Sequence, residues 1–79
     1  MKAKIHITLK SGVLDPQGKA ISGALHNLGF SNAGEVRQGK YIEVELKETD
    51  RKKAQAVTED MCKKLLANTV IENYRFEVE

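Results

Sequence analysis

The stretch Lys2-Ala3-Lys4-Ile5-His6-Ile7-Thr8-Leu9-Lys10 decides the fold. Its apolar residues, Ala3, Ile5, Ile7 and Leu9, alternate with polar ones. A period of two builds a strand with one face in the core and one in water. Ser11-Gly12 breaks the pattern. Asp15 then stands as an N-cap, with Pro16 at the first helical position, where its missing N–H costs nothing. Ile21, Ala24, Leu25 and Leu28 share one helical stripe, and Gly29 supplies a left-handed stop. The first helix is therefore expected over 16–28.

Further along, Ala33 to Arg37 read as a weaker strand centred on Val36, with a turn at Gln38-Gly39. Ile42, Val44 and Leu46 alternate with Tyr41, Glu43, Glu45 and Lys47, completing an expected β-hairpin. Thr49-Asp50 cap a second helix with the stripe Ala54, Val57, Met61, Leu65 and Leu66, and Asn68 stops it. Tyr74, Phe76 and Val78 alternate in a last strand. The expected fold is α+β, a βαββαβ two-layer sandwich, with two helices on one face of a four-stranded antiparallel sheet. Residues 1–79 form one expected domain.

Composition narrows the function. The chain has 79 residues, 13 basic and 11 acidic, for a net charge of +2. That balance is too even for a phosphate-binding surface, and the basic row Lys2, Lys4, His6 faces the acidic row Glu43, Glu45. A nucleic-acid-binding sheet also needs stacking aromatics, and here Tyr41 stands alone. No nucleic acid and no membrane are expected as partners, because no apolar run approaches a bilayer span. The single cysteine, Cys62, fits a reducing cytoplasm, the expected location.

Catalytic groups are scarce. His6, His26 and Cys62 form no metal-ligand spacing, and Cys62 reads as a packed thiol beside Met61. The loop Ser11-Gly12-Val13-Leu14-Asp15 lacks the arginine of small acyl-phosphate hydrolases of the same topology. Catalytic, cofactor and metal residues are thus expected to be none. Two loops are less easily explained. Val13 and Leu14 are apolar residues in a connection, covering the core edge or touching a partner. Arg37, Gln38, Gly39 and Lys40 form a polar hairpin tip, either solvated or bound.

Four strings stand out: Gly12-Val13-Leu14-Asp15-Pro16-Gln17-Gly18-Lys19-Ala20, Gly23-Ala24-Leu25-His26-Asn27-Leu28-Gly29-Phe30, Val36-Arg37-Gln38-Gly39-Lys40-Tyr41-Ile42-Glu43 and Met61-Cys62-Lys63-Lys64-Leu65-Leu66-Ala67-Asn68. With Val70-Ile71-Glu72 and Tyr74, they strongly resemble the PurS family, the small subunits of phosphoribosylformylglycinamidine synthase. The likeness departs at Ser11 and Thr69, where proline is expected, and at the basic opening of the second helix, Arg51-Lys52-Lys53.

The resemblance implies a non-catalytic assembly subunit in purine biosynthesis. Its partners would be a large synthetase using ATP and Mg, and a glutaminase that releases ammonia. It also implies a homodimer or tetramer, and no cofactor on this chain. Partner contacts are expected at Val13, Leu14, Asp15, Gln17 and Gly18, at Arg37, Gln38, Gly39 and Lys40, and at Glu72 and Tyr74. The alternative is a small-molecule-sensing regulatory domain of the same topology, with its pocket at Asp15 to Gly18.

Overall fold

Strand β1 (Lys2–Leu9) forms the middle of the molecule, as its alternation requires. The structure, a computed structural model, describes residues Met1–Glu79. Helix α1 (Pro16–Asn27), strand β2 (Gly39–Glu45), helix α2 (Arg51–Met61), a π-helical turn (Cys62–Leu66) and strand β3 (Glu72–Val78) follow. The sheet has three antiparallel strands in the order β2-β1-β3. Ala3, Ile5 and Ile7 are buried against Cys62 and Ala67, with Ile42, Val44, Leu46, Leu66, Tyr74 and Phe76 packed around them.

The fourth strand expected over 33–37, and its hairpin, do not form. Its two apolar residues, Ala33 and Val36, stand three positions apart and would point to opposite faces of a strand, so the segment has no face to bury. Its backbone groups bond to side chains instead: Ser22 Oγ donates to Gly34 O at 3.4 Å, and Asp15 Oδ2 accepts from Gln38 N at 2.7 Å. Gln38-Gly39 is consequently not a turn. Gly39 and Lys40 begin β2, which pairs directly with β1 through Thr8↔Gly39 and Ile7↔Lys40.

Helix α1 departs further from expectation, because it does not lie on the sheet. The Asp15 cap and the Gly29 stop form as read, with Gly29 at φ 99°. Yet Gly18 is the only buried residue of the helix, and the stripe beginning at Ile21 faces away from the core. Leu28 is 75% exposed and Phe30 54% exposed. Helix α1 and the returning segment form an arm, joined by His26 Nε2 2.8 Å from the accepting carbonyl of Ala33. The radius of gyration is 16.0 Å, against about 12 Å for a compact chain of this length.

The second helix packs with part of the expected stripe: Ala54 and Leu66 turn inward as expected, but Val57 and Leu65 do not. Ala54, Thr58 and Cys62 meet the sheet, while Val57 and Leu65 face outward. Three small residues at i, i+4 and i+8 form a flat ridge that lets the helix approach closely. Thr58 Oγ1 donates to Ala54 O at 2.8 Å, so its buried hydroxyl is satisfied. After Cys62 a π bond, Ala67 N to Cys62 O at 3.0 Å, adds a residue to the turn. The extra residue turns Leu66 inward and Leu65 out. Burial, and behind it the Glu59 carboxylate, push the Cys62 thiol pKa up, which suits a packing role.

Candidate functional site: a latch joining two loops

Asp15 lies at the junction of the arm and the sheet. Its side chain is buried, and both carboxylate oxygens are used. Oδ1 accepts from Gly18 N at 2.8 Å, which caps α1. Oδ2 accepts from Gln38 N at 2.7 Å, 23 positions away in sequence. The Gln38 bond, the Gly18 bond and the charge of Arg37 hold this carboxyl below the usual aspartate pKa, against the opposing effect of burial.

Around this latch the two loops close on each other. Gln38 Nε2 donates to Gln17 Oε1 at 2.6 Å, and Arg37 donates to the carbonyl of Lys10 at 3.1 Å. Lys40 Nζ reaches Glu72 at 3.5 Å, tying β2 to the start of β3 below β1. A cleft of about 230 Å³ runs between Asp15, Gln17, Gln38, Lys40 and Glu72. Residues drawn from three separate stretches thus share one end of the molecule.

Gly18 is fixed by this geometry. A Cβ there would run into the carbonyl oxygen of Val36 and lie 2.9 Å from Asp15 Oδ2. Gly18→Ala is expected to cost about 1–2 kcal/mol, because backbone on both sides of the contact must move. Thermal unfolding of the variant checks this value.

A model of the family described as PurS, phosphoribosylformylglycinamidine (FGAM) synthase, matches residues 2–79. The chain belongs to the PurS family. The PurS subunit of Bacillus subtilis is 49% identical over 78 residues, covering 99% of this chain and 92% of that protein. The crystal structure of Methanocaldococcus jannaschii PurS superposes with a TM-score of 0.88 at 47% identity, over 99% of this chain and 94% of that one. That protein is described as one of the subunits of formylglycinamide ribonucleotide amidotransferase in the purine biosynthetic pathway. A chain of the Thermotoga maritima PurLQS structure matches with a TM-score of 0.88 at 30% identity, over 96% of this chain and 93% of that one. PurS is a subunit of FGAM synthase, in purine biosynthesis.

Within this PurS-family chain, most of the residues singled out from sequence converge. Asp15 and Gln17 bond to Gln38; Gly39 and Lys40 line the same cleft; Arg37 and Gly18 line a second one beside Asp15; and Glu72 joins through Lys40. Leu14 lies beside them but is 67% exposed, so it does not cover the core edge. Val13 is half-buried. Tyr74 is the exception: its side chain packs against the core and its hydroxyl donates to Glu59 Oε1 at 2.9 Å, tying β3 to α2. The Lys10 carbonyl and Glu35, which holds Arg37 at 3.8 Å, belong to the cluster but escaped sequence reading. No sequence signal marks a backbone carbonyl as an acceptor.

The latch also bears on the sensing-domain alternative. The N-terminus of α1, where such a pocket was expected, is taken by the Asp15 carboxylate of the chain itself. A second anion there would meet like charge at close range.

Proposed function

We propose that this chain is the non-catalytic assembly subunit of an FGAM synthase. In this reading it bridges an ATP-using synthetase and a glutaminase, so that ammonia from glutamine reaches formylglycinamide ribonucleotide and yields formylglycinamidine ribonucleotide. ATP and Mg belong to the synthetase partner. The observation that carries the reading is the family match across residues 2–79, together with the likeness to a chain of the PurLQS structure.

The contacts fall to the latched loops, 13–18 and 37–40, and to Glu72. Pinned by Asp15, they offer a surface of fixed shape, which limits the ordering entropy a partner must overcome. The apolar arm supports self-association as a homodimer or tetramer. Ile21, Leu28 and Phe30 present exposed apolar side chains, and a second copy would supply a matching face through two-fold symmetry.

Reconstitution tests the proposal. Glutamine-dependent amidation by the synthetase and glutaminase is expected to collapse when this chain is omitted. Undiminished activity without it would defeat the bridging role. Arg37→Ala is expected to weaken co-purification of the three proteins, while costing the isolated chain no more than about 1 kcal/mol. Unchanged assembly would remove Arg37 from the interface.

A further inference from the structure

The sheet face opposite α2 carries its charges in levels across the strands. At the first two, Lys2 stands beside Glu45, and Lys4 between Glu43 and Glu77. These lysines are engaged: Lys2 meets Glu43 at 3.7 Å and Lys4 meets Glu79 at 3.0 Å. The pattern changes at the next two levels. His6 lies between Tyr41 and Arg75, and Thr8 between Gly39 and Asn73. No carboxylate stands in either row, and Arg75 enters none of the ion pairs of the chain.

A hollow of about 340 Å³ opens here. Gly39 lines it, and a Cβ at that position would run into the Ile7 carbonyl oxygen and lie 3.1 Å from Thr8 Cγ2. One wall is the Tyr41 ring, 4.9 Å from the His6 ring and tilted 43° to it. Of the carboxylates on the next level, Glu43 is occupied, accepting from the Tyr41 hydroxyl at 2.8 Å and pairing with Lys2, while Glu77 enters no ion pair. The hollow therefore gathers a guanidinium, an imidazole, a hydroxyl and an amide around an exposed aromatic ring, with no carboxylate among its lining residues.

We propose that this hollow binds a small flat ring bearing an oxyanion, of the size and chemistry of a nucleoside monophosphate. The Arg75 fork takes two oxygens of the anion, with Thr8 and Asn73 as further donors. The ring stacks on Tyr41, a contact that accepts any base because every base has a π-face. The volume falls at the small end of ligand cavities, about 300–1,000 Å³, which favours one nucleotide over a dinucleotide.

Amide-resolved NMR of the full chain tests this, with adenosine 5′-monophosphate, inorganic phosphate and adenosine as probes. The monophosphate is expected to shift the amides of His6, Thr8, Asn73 and Arg75, and to bind about tenfold more tightly than either fragment. Arg75→Gln, on an exposed face outside the core, should weaken it by about tenfold or more. Tyr41→Leu should bring the monophosphate down to the affinity of phosphate alone. The proposal fails if those amides stay still, if phosphate binds as well as the nucleotide, or if Arg75→Gln changes nothing in a folded protein.

Discussion

Replacing Asp15 with alanine is expected to lower the Tm by about 10 °C, more than any substitution at an exposed loop position in the chain. The carboxylate accepts two backbone N–H bonds from segments 20 residues apart, Gly18 and Gln38. Alanine leaves both donors unpartnered, and with them goes the bond that docks the arm onto the start of β2. Asparagine should fall between, since its amide group can serve one N–H but turns a donor toward the other.

The effect carries a pH signature. Asp15 titrates lower in the folded chain than in the unfolded one. Its stabilisation is therefore complete above about pH 4 and is lost as the pH falls through the depressed folded value. The gap in Tm between the parent and Asp15→Ala should hold constant near neutrality and narrow below about pH 4. Thermal unfolding across a pH series measures both. A variant within about 2 °C of the parent at neutral pH would show that the latch is not what fixes the loops.

On the proposed self-association through the arm, Leu28→Glu is expected to leave the chain monomeric without unfolding it. Leu28 touches none of the core, so the monomer should keep its Tm. In a two-fold interface the change occurs twice. Two leucine side chains returned to water, at about 2–3 kcal/mol each, correspond to a dimer weakened by about a thousandfold or more. Sedimentation of the two proteins at equal concentration reads the shift. If Leu28→Glu sediments like its parent, the arm is not the self-association surface and belongs to a different partner.

The arm also explains where sequence reading succeeded and where it stopped. Its helix was legible because Asp15, Pro16 and Gly29 act locally: a cap, a first-turn proline and a left-handed stop each concern a few neighbouring residues. Its destination was not. An apolar stripe demands cover, but the stripe of α1 does not say whether the cover is this chain's own sheet or another molecule. Reading each apolar face as satisfied within one chain gave the two-helix layer, while the expected fourth strand rested on Val36 and the turn signal at Gln38-Gly39.

The second helix teaches the same at a finer scale. Val57, Met61 and Leu65 are the larger side chains, and a helical wheel favours them. The sheet received Ala54 and the packed thiol of Cys62 as expected, but Thr58 in place of Val57, because close approach of the helix repaid more contact than the bulk of any single residue. At the candidate site, loops 13–18 and 37–40 stood out in sequence as segments that turn and cap chemistry only partly explained. That Asp15 joins them depended on a bond across 23 positions.

By itself the sequence determined the β1 alternation, the buried identity of Ala3, Ile5 and Ile7, both helix caps and the family. Each of these rests on contacts within a few residues, or on side-chain order along the chain. Tertiary structure alone decided that the sheet has three strands, that α1 leaves it, and that Asp15 closes two distant loops. Those outcomes follow from competition between surfaces far apart in sequence: a backbone segment pairs with whichever partner satisfies its N–H groups. For residues 33–38 that partner was in good part side chains, above all the Asp15 carboxylate, rather than another strand.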